Sequence, residues 1–329
     1  MVAFTGLADK MDIEKYALNF KEANLQQSDS KVRMLSSTAP LSVAVEPVIN
    51  PSFTLQKAVV IKSAIYFEDS ALQMISSNRL DSFEINNLDY AVDKINISAI
   101  RLQHSKIQFS HNTALIKSKI LADTITTKVI QNNLKVAIGS LLLLENNIQY
   151  KDAGKPAAAE GFNPGNFELN KLAASIKNIS YSSKGTNATI NNIALQETKG
   201  FQLDSLSGII SVSDDTYKLD NFLMKTPNSY LQGDALILPA TFTTNPTLNN
   251  QINISNTSIS LKDVALINPA IVKKYQQQIG NNKTLFINLA AKGNAQKFTI
   301  QSLSAHTNSN DIQLRASGTL GNLDNLKKL

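Results

Sequence analysis

The chain has no cysteine and no tryptophan among its 329 residues. The absence of cysteine excludes disulfide bonds, thiolate nucleophiles and cysteine-ligated metals from this segment. Proline and glycine are sparse, at 9 and 13 residues, which excludes collagen-like and proline-rich disordered chains. Arginine occurs only at positions 33, 79, 101 and 315, so the net charge of +6 comes mostly from lysine. Specific nucleic-acid readers favour arginine for bidentate contacts, and we therefore expect no nucleic-acid partner.

Long hydrophobic runs are also missing. The longest, the leucine run 141–144, is far short of the roughly 20 apolar residues that a membrane-spanning helix needs. The N-terminus lacks a basic region followed by an apolar stretch, so it is not a secretory signal. A strand-like pattern near the C-terminus, at 318–326, would leave a sheet edge unpaired if the protein ended there. We expect the chain to be an internal piece of a longer protein.

What the sequence does contain is a short recurring pattern: aromatic, any, aliphatic, two polar residues, apolar. Its first half alternates with period 2, which places its apolar side chains on one face of a strand. The polar pair then shifts the parity by one, and a β-bulge absorbs such a shift while bending the strand. The pattern therefore predicts a mostly β protein with a long, curved, antiparallel sheet that has one apolar face. Copies begin at Phe53, Phe83, Phe167, Phe201, Tyr217 and Phe298, and weaker versions at Ile95, Ile190 and Ile259.

Strand signals divide the chain into four parts. Residues 1–40 are interpreted as a helical lead-in and linker, because 12–23 show weak helical spacing. Segments 41–151 and 167–329 are β-rich, with short turns that favour antiparallel neighbours. Between them, 152–166 is rich in glycine, proline and alanine and is predicted to be a long surface loop. The principal strand predictions are 80–91, 94–103, 106–110, 113–122, 134–150, 167–181, 187–195, 201–213, 217–226, 229–238, 250–261, 284–292, 297–306 and 311–319.

One helix is predicted within the last β-segment, at 268–279. Asn268 suits the N-cap, Pro269 suits the first helical position, and Gly280 ends the helix. Apolar residues recur from Ile271 at i, i+4 spacing and form a stripe. We expect this stripe to pack on the sheet, because the polar face is glutamine-rich rather than strongly basic, as a membrane-surface helix would be.

No motif in the sequence points to catalysis or to a cofactor. His104, His111 and His306 lie outside any cluster with metal-ligand spacing. The acidic pairs 68–69 and 214–215 fall where turns are predicted, and adjacent side chains of a turn do not form an acid–base pair across a cleft. We expect a protein that is not an enzyme and that takes neither a cofactor nor a metal.

The apolar face is the remaining candidate for function. The residue pattern leaves two interpretations open: a second sheet covers the face in a closed sandwich, or an open curved sheet leaves a trough wide enough for acyl chains. Period-2 placement, with each parity shift taken up by a bulge, predicts one continuous apolar surface. The residues predicted to line it are Ile210, Val212, Leu219, Phe222, Met224, Leu231, Ala235, Ile237, Ile252, Ile254, Leu285, Ile287 and Leu289.

A series of segments in a fixed order carries a family resemblance. The longest are 193–206 and 217–229, followed by 231–235, whose strand passes through Gly233. Further segments are 64–69 and 148–152 upstream, and 259–264 and 316–323 downstream. In this order they resemble the AsmA/TamB superfamily, and most closely the TamB-like (translocation and assembly module) proteins of Bacteroidetes-type bacteria.

The resemblance implies a fold, a location and a ligand. Proteins of this family extend across the periplasm from an N-terminal inner-membrane anchor, which lies outside this fragment, and form a taco-shaped β-groove with an apolar interior. They are implicated in moving phospholipid toward the outer membrane, so the implied ligands are phospholipid acyl chains. Some members also assist outer-membrane protein assembly with an Omp85-type partner, here through regions outside this chain.

Two alternatives from other functional classes stay open, because fold does not fix function. One is a scaffold or chaperone for outer-membrane β-proteins, which would use sheet edges. The other is a β-rich surface adhesin built as a solenoid. Solenoid coils repeat at near-constant length, and the irregular spacing of the recurring pattern argues against them.

Overall fold

Strands dominate the computed structural model of the chain. The structure describes residues 17–34, 52–69, 73–113, 134–155, 160–238, 249–279, 283–294 and 296–321. In this part of the chain 76% of the residues are in strands, which confirms the predicted mostly β class. The strands are β1 Ala17–Gln26, β2 Asp29–Met34, β3 Ser52–Asp69, β4 Met74–Ala91, β5 Lys94–Gln103, β6 Lys106–His111, β7 Lys135–Asp152, β8 Asn166–Ser182, β9 Gly185–Glu197, β10 Gln202–Val212, β11 Tyr217–Lys225, β12 Tyr230–Ile237, β13 Asn250–Ser260, β14 Thr284–Gly293, β15 Lys297–Thr307 and β16 Gln313–Gly321.

The described strands form a single sheet. Its order is β1-β3-β4-β5-β7 followed by β8 to β16 in sequence, with β2 beside β3 and β6 between β4 and β7. From β7 to β16 every pair of neighbours is antiparallel, which confirms the predicted long antiparallel series. The strand predictions overlap β4 to β16. The one at 113–122 lies outside the described residues apart from Thr113.

The N-terminal part of the sheet differs from the expectation in two ways. Strands β1 and β2 run parallel to β3, and β5 and β6 run parallel to β7, so this part is mixed. The connections 35–51 and 112–134 are long enough for the crossover that a parallel pair requires. The predicted helical lead-in is wrong from Ala17 onward, because pairing with β3 outweighs a weak helical spacing. Residues 12–16 lie outside the described part.

Bulges in neighbouring strands line up across the sheet. Gln27, Lys62, His104, Glu145 and Lys171 each have a φ between 45° and 51°, the left-handed region. The register places Gln27 beside Lys62 and His104 beside Glu145, with Asp81 of β4 between the two pairs, and Lys171 of β8 follows beside Asn147. We call this line of bulges the crease. It bends the 18-residue strands β3 and β7 near their middle and separates β1 from β2 and β5 from β6.

Small polar side chains satisfy the backbone groups that the crease releases. Ser63 donates its hydroxyl to the Ile61 carbonyl oxygen at 2.9 Å, and Ser105 does the same to a β5 carbonyl at 2.7 Å. The Ser105 backbone N–H donates to Asn146 Oδ1, and Asn146 Nδ2 donates to another β5 carbonyl, both at 2.9 Å. Asn146 is completely buried, at 0% exposure. The crease is therefore a hydrogen-bonded feature of the fold.

Two short helices, α1 Leu261–Ile267 and α2 Pro269–Ile279, follow β13. The predicted helix is confirmed as α2, and the Ile271 N–H donates to the Asn268 Oδ1 cap at 3.4 Å. The first helix was not predicted. It begins after Ser260, whose hydroxyl accepts from the Lys262 N–H at 3.3 Å.

The helix pair lies along one end of the sheet, across successive turns. In α1, the Asp263 carboxylate accepts from Thr226 Oγ1 and Ser229 Oγ at 2.5 Å, in the turn between β11 and β12. At its far end, Lys273 in α2 pairs with Glu160 at 2.6 Å, in the loop between β7 and β8. We call this the helix end of the sheet.

The prediction that the helical stripe packs on the sheet is wrong for two of its described residues. Ile271 is 49% exposed and Ile267 is 46% exposed, whereas Val264, which leads into the stripe, is half-buried. The side-chain contacts of the helices go to the turn between β11 and β12 and to the loop between β7 and β8.

Asn146 provides a test of the crease. Asn146→Ala leaves the Ser105 N–H and a β5 carbonyl without their buried partner. An unsatisfied buried polar group costs about 1–3 kcal/mol, so we expect the free energy of unfolding to fall by about 2–4 kcal/mol. Urea unfolding followed by circular dichroism measures this. The control is Asn192→Ala, at an exposed position of β9. Equal unfolding midpoints for the two variants would contradict the role of the crease.

The hydrogen bonds that tie Asp263 of α1 to Thr226 and Ser229 form what we call the helix clamp, and Asp263 provides a test of it. Burial acts to raise its pKa, but hydrogen bonds from Ser229, Thr226 and Asn228 outweigh burial and lower the pKa below its ordinary value. Because the folded-state pKa is lowered, the clamp contributes its full stabilisation of the folded protein at pH values above the ordinary aspartate pKa. This stabilisation is lost as the pH falls through the folded-state pKa. We expect Asp263→Asn to cost about 1–3 kcal/mol at pH 7 and progressively less in acid.

Urea unfolding at a series of pH values from 7 downward measures the pH dependence of the clamp. Asp214→Asn, at an exposed turn position, is the matched control. A difference between the Asp263 variant and wild type that stays constant down to acid pH would contradict the role of the carboxylate.

Candidate functional site: the apolar face

The strand register brings the predicted lining residues together on one face. Directly paired residues of neighbouring strands point to the same side of a sheet. One row of partners runs Ile210, Leu219, Ala235, Ile252 and Ala291 from β10 to β14. In β14, Leu285, Ile287 and Leu289 alternate along the strand on the same side as that row. The full predicted set, Ile210, Val212, Leu219, Phe222, Met224, Leu231, Ala235, Ile237, Ile252, Ile254, Leu285, Ile287 and Leu289, therefore shares one face.

Bulges keep the face continuous where the parity shifts. In β11 the bulge residue Asn221 has φ 50°, and in β13 Asn256 has φ 47°. Their backbone N–H groups donate to side chains of the next strand, Asp234 Oδ1 at 2.7 Å and Asn288 Oδ1 at 2.8 Å. The N–H of Lys171 is held in the same way by the neighbouring β7.

The bulges predicted from the recurring pattern occur at most of its copies. The second polar residue has a left-handed φ in the copies that begin at Phe83, Phe167 and Tyr217. The copies at Phe201 and Phe298 carry register shifts at the polar pair. The copy at Phe53 lies opposite the Phe83 copy and keeps an unbroken register with it.

The apolar face extends well beyond the predicted residues. One unbroken row of cross-strand partners spans ten strands from β1 to β12. The sequence prediction covered only β10 to β14, although the Phe53 and Phe83 copies already indicated the N-terminal half. The row is Leu25, Val60, Phe83, Leu102, Leu143, Ala174, Ile193, Leu206, Met224 and Leu231.

The opposite face of the sheet is more polar. Residues that alternate with the apolar row are Ser211 in β10, Lys218 in β11, Asp234 in β12 and Asn253 in β13. Exposed apolar side chains, Leu142, Leu144 and Ile209, also lie on this side, so the two surfaces differ in degree.

The predicted lining residues are partly open to solvent. Val212 is 39% exposed, and the others are half-buried. In a closed sandwich the facing side chains of a second sheet would interdigitate with them and bury them. The described part of the chain contains no second sheet that covers this face. A contiguous apolar surface of this kind is typical of an interaction site.

Aromatic residues border the face at both ends. At the helix end, Phe109, Tyr150, Phe167 and Phe162 form a series with ring centroids 5.8, 5.4 and 5.8 Å apart. At the opposite end the last row of partners carries exposed tyrosines, including Tyr181 at 47% exposure. Tyrosine combines an apolar ring with a polar tip and suits the border between apolar and wet surfaces.

The described residues offer little else that could carry chemistry. They contain no group of three or more His, Asp or Glu side chains placed to hold a metal ion. His104 lies 3.6 Å from Glu145, and His306 stacks on Phe286 with ring centroids 5.0 Å apart. None of the described helices is both long and apolar enough to cross a bilayer.

Comparison with protein-family models and with curated proteins gives no match for this chain.

Single cysteines provide a test of the open face, because the chain has no native thiol. Leu219→Cys places a thiol at a half-buried position of the face, and Ala291→Cys places one at a covered position of the same row, which is 2% exposed. We expect maleimide to label the Leu219 variant in the folded protein and the Ala291 variant only in denaturant. Protection of both thiols until unfolding would contradict an open face.

Proposed function

We propose that this chain is a non-enzymatic segment of an AsmA/TamB-like protein whose apolar face conducts phospholipid between the inner and outer membranes. One observation carries the proposal: an unbroken apolar row across ten strands, buried at Leu102 and Ala174, belongs to a face whose predicted lining residues are half-buried or exposed. The family resemblance of the sequence supplies the context.

Acyl chains are the ligand that such a surface suits. The hydrophobic effect is non-directional, so a hydrocarbon chain needs continuous apolar contact and no specific hydrogen bonds. Strands lie about 4.8 Å apart, so the row extends for roughly 40 Å, longer than one extended acyl chain. The polar opposite face explains how the same sheet remains hydrated on its other side.

The location and partners follow from the resemblance and are part of the proposal. The segment would lie in the periplasm, attached to the inner membrane through an N-terminal anchor outside this fragment. An Omp85-type outer-membrane protein would bind to other regions of the full protein. The proposal includes no cofactor and no nucleic acid.

A second candidate function uses the sheet edge. All nine residues of β16 are exposed, and β16 pairs only with β15 among the described strands. An unpaired edge can add a further strand, which favours the scaffold or chaperone interpretation for outer-membrane β-proteins. Parallel pairs occur among β1 to β7, but the antiparallel series from β7 to β16 does not have the parallel coils of a solenoid and argues against the adhesin alternative.

Ile287→Glu distinguishes a conduit from a closed scaffold. Ile287 is half-buried, so the carboxylate keeps part of its hydration and costs less than the several kcal/mol of full burial. We expect a folded variant that no longer cross-links to a photoactivatable phospholipid. Circular dichroism and mass spectrometry of cross-linked lipid measure the two properties. The control is Gln251→Glu, which adds the same charge at an exposed position of the polar face, beside Lys292 in the register.

Two outcomes would count against the conduit. A folded Ile287 variant that cross-links as well as the control would show that the face is not the lipid path. Unfolding of the Ile287 variant, with a folded control, would indicate a closed structural core and favour the scaffold.

A further inference from the structure

A pocket opens on the polar face, at the end of the sheet away from the helix pair. It has a volume of about 500 Å³ and is formed by the ends of β5, β7, β8, β9 and β10. Successive cross-strand partners line it: Asn96, Ala137, Ser180, Asn187 and Ser211. These side chains are small or carry neutral hydrogen-bonding groups, and they lie among apolar lining atoms, including those of Val136, Tyr181 and Val212, that form most of the pocket surface.

The charge of the pocket is entirely positive. Lys94, Lys135 and Lys184 line it, and neither aspartate nor glutamate does. Lys94 and Lys135 are direct partners in the register, and like charges placed opposite each other destabilise a sheet. The ion pairs found among the described residues involve none of the three. The nearby acids lie outside the lining: Asp93, Asp214 and Asp215 are on exposed turns, and the exposed Asp89 accepts from Asn96 Nδ2 at 3.5 Å.

The turn between β8 and β9 holds Lys184 at the pocket. Its backbone N–H donates to Ser182 Oγ at 3.2 Å. Gly185 follows with φ 149°, and a Cβ there would lie 2.4 Å from the Val212 carbonyl oxygen. Only glycine therefore allows the turn to approach β10 so closely. The hydroxyl groups available at the same pocket are those of Ser180, Ser182, Ser211, Ser213 and Thr216.

The pocket also touches the last row of the apolar face. Tyr181 and Val212 line the pocket, and both belong to the row Val136, Tyr181, Thr186 and Val212. At the strand ends the two faces are separated by one layer of backbone. A molecule with an apolar part on one face and an anionic part a few ångströms away can contact both.

We propose that this lysine pocket binds a phosphate group, that of an anionic phospholipid whose acyl chains lie on the apolar face. Lysine ammonium groups and hydroxyl donors are suited to the oxygens of a phosphate. The assignment of the phosphate to a lipid rests on the proposed function, whereas the phosphate chemistry of the pocket stands on its own lining.

The test is a charge-matched pair of triple variants. The pocket variant carries Lys94→Gln, Lys135→Gln and Lys184→Gln. The control carries Lys177→Gln, Lys225→Gln and Lys297→Gln, exposed lysines outside the pocket. Binding is measured by flotation with phosphatidylcholine vesicles, with and without phosphatidylglycerol.

We expect the pocket variant to lose about 100-fold in affinity for the phosphatidylglycerol vesicles, roughly fivefold per lysine. The control should stay within a few-fold of the wild type, and circular dichroism should show both variants folded. An equal loss in the two variants would overturn the proposal, because net charge alone would then explain the binding.

Two further measurements identify the source of the phosphate and separate the two proposals. Full displacement of the vesicles by soluble glycerol phosphate would support the phosphate site but assign it to a soluble ligand. If both proposals hold, Ile287→Glu abolishes acyl cross-linking and leaves the lysine-dependent preference for phosphatidylglycerol intact. A lysine-dependent preference in a wild-type protein that never cross-links to acyl chains would overturn the conduit and retain the pocket.

Discussion

Backbone hydrogen bonding at the bulges is the constraint on which the rest of this structure depends. A long strand that bends must release N–H and C=O groups from its ladder, and buried groups of this kind need partners. The chain supplies them locally. Ser63, Ser105 and Asn146 serve the crease, and Asp234 and Asn288 serve the bulges of β11 and β13. With these partners the sheet can curve while every apolar row keeps its register.

The same devices explain why the sheet has two chemically different faces. A bulge changes the parity of a strand, so the polar pair of each motif shifts the following apolar residue back to the apolar side. In β11, Leu219 and Phe222 share a face because Asn221 lies between them in the left-handed conformation. The face is thus maintained strand by strand, and it does not rely on a covering layer in the described part of the chain.

Much of this arrangement could be predicted from the sequence, because period-2 alternation is a strong local signal. It predicted both ends of β5 correctly. It also placed every predicted lining residue from Ile210 to Leu289 on one side of the sheet. The start of α2 was predicted equally well from Asn268 and Pro269. That these residues line a lipid groove stays a proposal.

Other features depend on long-range contacts that local patterns do not encode. The parallel placement of β1 beside β3 and the position of the helix pair on the turns are of this kind. The crease does have a local signal: a polar residue followed by Ser or Asn, as in Lys62-Ser63 within β3, Glu145-Asn146 within β7 and His104-Ser105 between β5 and β6. The lysine pocket also needed the register, since Lys94 and Lys135 are far apart in sequence and adjacent only across β5 and β7.

The unbroken row from Leu25 to Leu231 has a consequence for motion. Under the proposed function, a hydrocarbon chain that slides from one strand to the next exchanges one apolar contact for another, without breaking a specific hydrogen bond. The free energy of the chain along the row would then vary only with the apolar area that each side chain offers. Such a surface would support one-dimensional diffusion in either direction, with a net flux set by the difference in chemical potential between its two ends.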